Sequence, residues 1–212
     1  TPTSSAPGCR TLLREIGRAL HWAYTSPRLP FEFRVLGDDS VVDAHATLFG
    51  GLSRSASWTR RVQGIEGDDL RQHVRFATFL ELYAVRRMVA RLAFDTELSQ
   101  SDRPGAMGSR WAELLLEITG FRHDPRAFLA ELGQRFGVAH HLRARMLAAI
   151  LTRELESRFD DDWYRNPRTG PYLGDWLAAG LTYDADELAA KLEVQPLASD
   201  ELAASIRRRL GT

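Results

Sequence analysis

This 212-residue sequence has a single cysteine, no formal net charge and no long apolar run. The single cysteine, Cys9, excludes an intramolecular disulfide framework and a metal site built from paired cysteines. The formal net charge is zero, so the chain has no overall attraction to nucleic acid or to an anionic membrane. No apolar run approaches the roughly 18 residues that a membrane span needs. We therefore expect a soluble, cytoplasmic protein with neither nucleic acid nor a membrane as partner.

Helical periodicity, by contrast, runs along nearly the whole chain. We expect residues 1–8 to form a flexible tail and residues 26–39 to be extended or looped, because both segments are rich in turn-forming residues. The sequence thus predicts an all-α, multi-helix fold in which residues 9–212 form a single helical domain. The first helix is expected to end near residue 24, and the others are predicted at 41–52, 68–99, 109–118, 125–136, 138–159, 172–179, 185–192 and 199–210.

Two of these predicted helices have marked apolar stripes. In the first helix the stripe consists of Leu12, Ile16, Leu20 and Ala23. In the longest helix, over 68–99, apolar residues recur at steps of three and four, and aromatic residues widen the stripe. We expect this long helix to line the core, with a stripe that includes Leu70, Leu80, Leu92, Phe76, Phe79 and Tyr83.

The string REIGR, residues 14–18, has the spacing of a zinc-protease motif. In HExxH, two histidines four residues apart project from one helical face toward zinc, and the glutamate acts as a general base on the zinc-bound water. Here Glu15 occupies the position of the base, while Arg14 and Arg18 occupy the positions of the two ligands. A second predicted helix follows and carries a carboxylate, Asp43.

The surrounding sequence, LLREIGRALHWAYTSPRLPFEFRVLGDDSVVDAHATLFGGL, resembles the oligoendopeptidase F and thimet oligopeptidase family of zinc metallopeptidases. The interval from Arg18 to Asp43 matches the family's interval from its second histidine to its glutamate ligand. The resemblance implies the helical C-terminal half of a zincin-type catalytic domain, without the N-terminal helices and sheet that form the other wall of the family's cleft. Further similar segments are LELYAVRRMVARLAFDTELSQ, FGVAHHLRARMLAAILTRELESRFDDDWY and GPYLGDWLAAGLTYDADELAAKL.

The departures from the family pattern lie at the positions that bind zinc and stabilise the reaction intermediate in the family. A guanidinium group has no free lone pair, so neither Arg14 nor Arg18 can bind zinc. Asp43 also replaces the family's glutamate with a side chain one methylene shorter. We therefore predict that zinc is absent and that no catalytic residue remains beyond Glu15, the remnant of the general base. The positions that resemble the family's intermediate-binding tyrosines are Phe136, His140, His141 and Arg143.

The paired arginines suggest a structural substitute for the metal. Two guanidinium groups bring two positive charges to the place where Zn²⁺ would bring two, and they face the carboxylates of Glu15 and Asp43. Because arginine and carboxylate pair through strong charge-assisted hydrogen bonds, we expect an Arg–carboxylate cluster to connect the two helices. A lone pair of arginines at this spacing would instead repel slightly.

The histidines leave a second hypothesis open, in which the chain is a metal-dependent hydrolase with a rebuilt metal site. His21 follows Arg18 by three residues, and His45 follows Asp43 by two. His140 and His141 lie on a later helix, where adjacent positions point to different faces, so that at most one of them is expected to join such a site.

The leading function implied by the resemblance is a catalytically inactive, truncated homologue of a zinc oligopeptidase that acts as a binding or scaffold module. Its remnant cleft would hold a peptide ligand. Helices that pack on an N-terminal lobe in the family would expose an apolar face here, so we expect a homodimer or a separate N-terminal-lobe partner to cover that face. The residues assigned to the remnant cleft are His21, His45, Phe136, His140, His141 and Arg143.

Overall fold

The computed structural model describes residues 6–131, 136–194 and 196–211, and in these residues it contains helices and turns but no β-strand. The all-α prediction is therefore confirmed. None of these helices combines the length and the apolar character that crossing a membrane would require, as far as the described residues go. In chain order the helices are α1 Ala6–Tyr24, α2 Phe31–Val35, α3 Asp39–Gly51, α4 Ala56–Trp58, α5 Gly67–Ser99, α6 Gly108–Thr119, α7 Phe128–Glu131, α8 Val138–Phe159, α9 Thr169–Ala178, α10 Ala185–Lys191 and α11 Asp200–Leu210.

The helix boundaries mostly follow the sequence signals. Asp38 caps α3, because its carboxylate accepts a hydrogen bond from the backbone N–H of Ser40 at 2.9 Å. The prediction of an extended or looped link over 26–39 is wrong in the middle of the segment, where Phe31–Val35 form α2 directly after Pro30. Helix α1 begins at Ala6 and therefore includes the end of the predicted tail, while residues 1–5 lie outside the described residues. Residues 132–135, part of the helix predicted over 125–136, also lie outside the described residues.

The chain divides into two compact units, one formed by Thr1–Thr78 with Arg143–Thr212 and the other by Phe79–Leu142. Because the chain divides in this way, the single helical domain expected over residues 9–212 stays a prediction.

Helix α3 is the central helix of the first unit. Almost every residue from Ser40 to Gly50 is buried, as expected for a helix surrounded by other elements. Its Val41 and Leu48 belong to the same apolar core as Leu147 and Ile150 of α8. Residues of α9 and α10 complete this core, which places the α1–α3 contact at the edge of a well-packed region.

The second unit has its own aromatic core. Phe94 on α5 lies 5.0 Å from Trp111 on α6 and 6.3 Å from Phe128 on α7, measured between ring centroids. A buried ion pair accompanies this core, since Arg91 Nε donates to Asp95 Oδ1 at 2.9 Å one turn along α5.

Both apolar stripes deviate from expectation. In α5, Leu70 is buried, but Phe76, Phe79 and Leu80 are 63%, 43% and 40% exposed, so the prediction that the whole stripe lines the core is wrong. In α1, Leu12 and Ile16 are 49% and 39% exposed, although a stripe of this kind usually faces a core. The side of α1 that packs on the protein contains Gly17 and His21, which are buried, together with Cys9 and Leu13, which pack against the apolar core.

Candidate functional site

The helices α1 and α3 approach each other closely because two glycines lie at their contact. A Cβ atom added at Gly17 would come within 2.6 Å of the carbonyl oxygen of His45 and 2.8 Å of Ala46 Cα. A Cβ atom at Gly50 would come within 2.6 Å of Cγ of Arg14. Glycine at position 17 lets the two backbones approach to a distance that any side chain would prevent, and glycine at position 50 leaves room for the side chain of Arg14.

The predicted Arg–carboxylate cluster forms across this contact. Arg18 Nη2 donates to Asp43 Oδ1 at 2.6 Å, and Arg18 Nη1 donates to Glu15 Oε1 at 2.5 Å. Arg14 Nη1 donates to Thr47 Oγ1 at 2.9 Å, and its Nη2 lies 3.7 Å from Asp43 Oδ1. One aspartate on α3 therefore faces two arginines on α1, and Arg18 bridges both carboxylates.

The electrostatics of the cluster differ between the two arginines. The hydrogen bond to Asp43 raises the pKa of Arg18, whereas burial lowers the pKa of Arg14 against the opposing effect of Asp43. The side chains of Arg18 and Glu15 are 34% and 58% exposed, while that of Asp43 is 10% exposed. The cluster is thus a partly exposed network with balanced charge, in which Asp43 is the most buried member.

The histidines His21 and His45 form a second polar layer of the same contact. Their Nδ1 atoms lie 3.1 Å apart, so one imidazole donates Nδ1–H and the other accepts. The two rings are stacked with centroids 5.2 Å apart, and both side chains are almost fully buried, at 0% and 2% exposure. These residues are therefore interior groups of the helix pair.

Burial keeps both imidazoles neutral. It lowers the pKa of His21 to about 4, and burial together with repulsion from His21 lowers the pKa of His45 to about 3. The Nε2 atom of His21 is buried without a hydrogen-bond partner among the described residues. A second proton on this ring would consequently have no acceptor, and the pair is suited to a neutral hydrogen bond.

Arg143, expected in the remnant cleft, binds two other carboxylates of the first unit. Its Nη1 donates to Asp186 Oδ2 at 2.6 Å and its Nη2 donates to Asp38 Oδ2 at 3.2 Å. Asp38 also accepts the backbone N–H of Ala185 at 3.1 Å. Arg143 therefore connects α8 to the start of α3 and to α10, and these partners give it a structural role.

The remaining predicted cleft residues, Phe136, His140 and His141, belong to the second unit. Phe136 is 43% exposed and adopts a left-handed backbone conformation with φ of 55°. Its backbone N–H donates to Asp95 Oδ2 at 3.2 Å. The rings of His140 and His141 lie with centroids 3.8 Å apart, so these neighbours on α8 are turned toward each other.

The sequence analysis predicted the four members of the cluster but not the residues that allow α1 and α3 to approach each other and that complete the hydrogen bonding of Arg14. Gly17 lies inside a helix, where glycine costs about 1 kcal/mol relative to alanine, and such a glycine usually has a packing reason. That signal could have identified the close approach of α1 to α3. The sequence pattern does not predict that Thr47 is the partner of Arg14, because the hydroxyl of a helical threonine can instead bond to the backbone of its own helix.

Comparisons of this chain with protein-family models, with curated proteins and with solved structures returned no match.

Proposed function

We propose that this chain is a non-catalytic binding or scaffold module, related to the zinc oligopeptidases, in which an Arg–carboxylate cluster takes the place of the metal ion. The observation that carries the proposal is the position of Arg18, which donates to Glu15 on its own helix and to Asp43 on α3. The cluster connects the two helices that a zinc ion would connect in the family. It supplies positive charge at that place without any ligand atom.

The chemistry of the cluster supports the absence of peptidase activity. Metal-assisted hydrolysis requires ligands with lone pairs and a base that is available to a bound water. Arg14 and Arg18 provide donors only. One carboxylate oxygen of Glu15 accepts a hydrogen bond from Arg18, so this oxygen is paired with a cation and is a weaker base.

The geometry of His21 and His45 argues against a hydrolytic metal site held between these two histidines. A catalytic metal keeps one coordination position open to water or substrate. His21 and His45 have 0% and 2% exposure, and their Nδ1 atoms are used in contact with each other. A metal held between them would have no open position that substrate could reach.

A binding role is supported by apolar groups that the first unit leaves exposed. Helix α2 has no buried residue, although three of its five side chains are apolar. Phe31 is 60% exposed, Phe33 is 42% exposed, and Leu36 directly after the helix is 67% exposed. Exposed apolar groups grouped in this way commonly mark contact surfaces for a peptide or a protein partner.

The proposal is tested by the zinc content of the chain, measured by plasma mass spectrometry after purification without a metal-affinity step. The test variant carries Arg14→His, Arg18→His and Asp43→Glu, which restores the ligand types of the family. We expect no stoichiometric zinc in the native chain and about one zinc per chain in the variant. The matched control is Arg71→His with Arg75→His, two exposed arginines on α5 with the same spacing, which is expected to bind none.

Two results would overturn the proposal. Stoichiometric metal in the native chain, together with peptidase activity that a chelator removes, would show an enzyme with a rebuilt site, and His21, His45, His140 and His141 would be the ligands to replace. A folded triple variant that binds no more zinc than the control would show that α1 and α3 do not carry a former zinc site.

A further inference from the structure

A cavity of about 710 Å³ lies beside α10 in the first unit. This volume falls within the range of about 300 to 1,000 Å³ that is usual for small-molecule sites. Tyr183 and Leu197 line the cavity, and both are half-buried residues that pack against the apolar core of the unit. Ala190 and Pro196 add to the apolar lining. The cavity therefore offers an apolar surface, anchored in the core, for the body of a ligand.

Lys191 supplies the positive charge of this cavity. It is the only lysine of the sequence, and its Nζ lies 4.1 Å from the centroid of the Tyr183 ring, within the range of a cation–π contact. Within the part of the chain that the structure describes, the ammonium group forms no ion pair. The charge of Lys191 is thus held at the cavity without a carboxylate to neutralise it.

Glu187, one turn before Lys191 on α10, would be its usual partner at this spacing. The Oε2 atom of Glu187 instead accepts the backbone N–H of Asp184 at 3.0 Å, as part of the capping box that begins α10. The capping box therefore directs this carboxylate toward the N-terminal end of the helix. As a result the cavity keeps one positive and one negative group that do not pair with each other.

The remaining charged residue of the cavity, Asp186, is already neutralised. Its Oδ2 accepts a hydrogen bond from Arg143 Nη1 at 2.6 Å. The charges left for a ligand are consequently those of Lys191 and Glu187. These residues are four positions apart on one helix, which corresponds to about 6 Å along its axis.

A ligand that complements both charges carries a carboxylate and an ammonium about 6 Å apart on an apolar body. Two residues of extended chain span up to about 7 Å, so the free ends of a dipeptide meet this requirement. The two charged groups of a single amino acid are attached to one carbon atom and are too close together. A dianion such as a phosphate ester would meet the carboxylate of Glu187 as well as Lys191, and this repulsion disfavours it.

We propose that this cavity binds a dipeptide with apolar side chains, whose C-terminal carboxylate pairs with Lys191 and whose N-terminal ammonium pairs with Glu187. The apolar side chains of the dipeptide would pack on Tyr183 and Leu197. The inference goes beyond the proposed function and does not depend on it, because no residue of the cavity belongs to the Arg–carboxylate cluster. The zinc experiment and the binding experiment can therefore fail separately.

The test is isothermal titration calorimetry of the native chain at pH 7 with leucyl-phenylalanine as the probe. We expect one site per chain with a dissociation constant on the order of 0.1 mM, as is usual for a ligand of this size. The N-acetyl form and the C-terminal amide of the same dipeptide each lack one charge. Each should bind at least about fivefold more weakly, because one charge-assisted hydrogen bond is lost.

Two variants assign the charges to their partners. Lys191→Met removes the ammonium and keeps an unbranched side chain, so it should weaken the free dipeptide at least about fivefold and leave the amide within about twofold. Glu187→Gln keeps an acceptor for the capping box, and it should weaken the free dipeptide but leave the N-acetyl form unchanged. The matched control Arg207→Met removes an exposed cation on α11, outside the cavity, and should change no affinity. Circular dichroism establishes that each variant is folded.

Several outcomes would overturn the proposal. Absence of binding by the free dipeptide up to about 5 mM would do so, and so would equal affinity for the free, acetylated and amidated forms. An equal loss for the free dipeptide and its amide in Lys191→Met would show that the lysine shapes the cavity without pairing with a carboxylate. An equal loss in Arg207→Met would place the bound dipeptide elsewhere on the chain.

Discussion

The two polar layers between α1 and α3 differ in charge although they lie one helical turn apart. In the first layer, Arg14 and Arg18 meet Asp43 as ions, and the side chain of Arg18 is 34% exposed. In the second layer, His21 and His45 meet as neutral imidazoles with 0% and 2% exposure. The charged groups thus lie where water still reaches them, and the interior of the same contact uses a neutral hydrogen bond.

This difference has an energetic consequence. Burying an ion costs several kcal/mol unless its partner and its remaining hydrogen bonds are all provided, whereas a buried neutral hydrogen bond needs only one matched donor and acceptor. The charged layer is therefore expected to contribute modestly to the free energy of unfolding. The neutral layer is expected to contribute more, but only while both rings remain neutral.

The largest expected effect is the loss of stability on acidification, which tests the neutral layer. The folded pKa values of His21 and His45 lie at about 4 and about 3, below the value of about 6.5 expected for the unfolded chain. The unfolded state therefore binds more protons below pH 6.5, and the free energy of unfolding falls as the pH is lowered toward the folded pKa values. Between pH 7 and 5 the loss is about 2 kcal/mol for each histidine.

Urea unfolding at pH 7 and pH 5 measures this loss. The interval lies above the ordinary pKa range of carboxylates, and Asp38, whose pKa is lowered in the fold, loses its contribution only at lower pH. Glu156, whose pKa is raised by burial, acts in the opposite sense. In His21→Leu the dependence on pH should be about half as steep. A native chain that is equally stable at both pH values would contradict the assignment of a neutral, buried pair.

The next effect in size comes from Gly17, which lies at the close contact between α1 and α3. Gly17→Val places side-chain atoms where the backbone of His45 and Ala46 already lies, so the helices must move apart and both layers lengthen. We expect a loss of about 3 kcal/mol in the free energy of unfolding, at the upper end of what overpacking costs.

The matched control for this substitution is Gly170→Val. Gly170 lies in α9 with open space at its Cβ position. Its replacement should change the free energy of unfolding by less than about 0.5 kcal/mol, since it adds no contact. Equal losses at the two glycines, measured by chemical denaturation, would show that general helix effects and not the α1–α3 contact dominate.

The contrast between the two layers also explains which features could be predicted from the sequence. Periodicity and capping signals predict most helices, because both depend on residues that are near in sequence, such as Asp38 at the start of α3. The meeting of Arg18 with Asp43 could be expected only through a family resemblance, since these residues are 25 positions apart. The resemblance itself stays a prediction.

Other features depend on packing that the sequence pattern does not contain. The stripe of Leu12 and Ile16 has helical spacing, but the spacing does not say which side of α1 faces the protein. Gly17 decides that question, because only its side of the helix can approach α3 closely. Arg143 bound to Asp38 and Asp186 is a second case, where partners 105 and 43 positions away set the role of a residue.

The smallest expected effects distinguish the members of the charged layer. Asp43→Asn removes the negative charge that faces Arg14 and Arg18. Because the side chain of Asp43 is only 10% exposed, water cannot fully replace that charge, and the two guanidinium groups then face a neutral amide. We expect a loss of about 1 to 2 kcal/mol, below the roughly 3 to 5 kcal/mol of a fully buried pair because Arg18 remains partly hydrated. Urea unfolding at pH 7 measures the change.

Glu15→Gln makes the same chemical change on the 58% exposed side of Arg18 and serves as the matched comparison. Exposed ion pairs are worth about 0 to 1 kcal/mol, so the free energy of unfolding should fall by less than about 0.5 kcal/mol. The order of the two variants is the decisive result, since Asp43 is buried and faces two arginines, whereas Glu15 is exposed and pairs with one. Equal effects would mean that water screens Asp43 as fully as Glu15, and the cluster would then be a surface ion pair that does not connect α1 to α3.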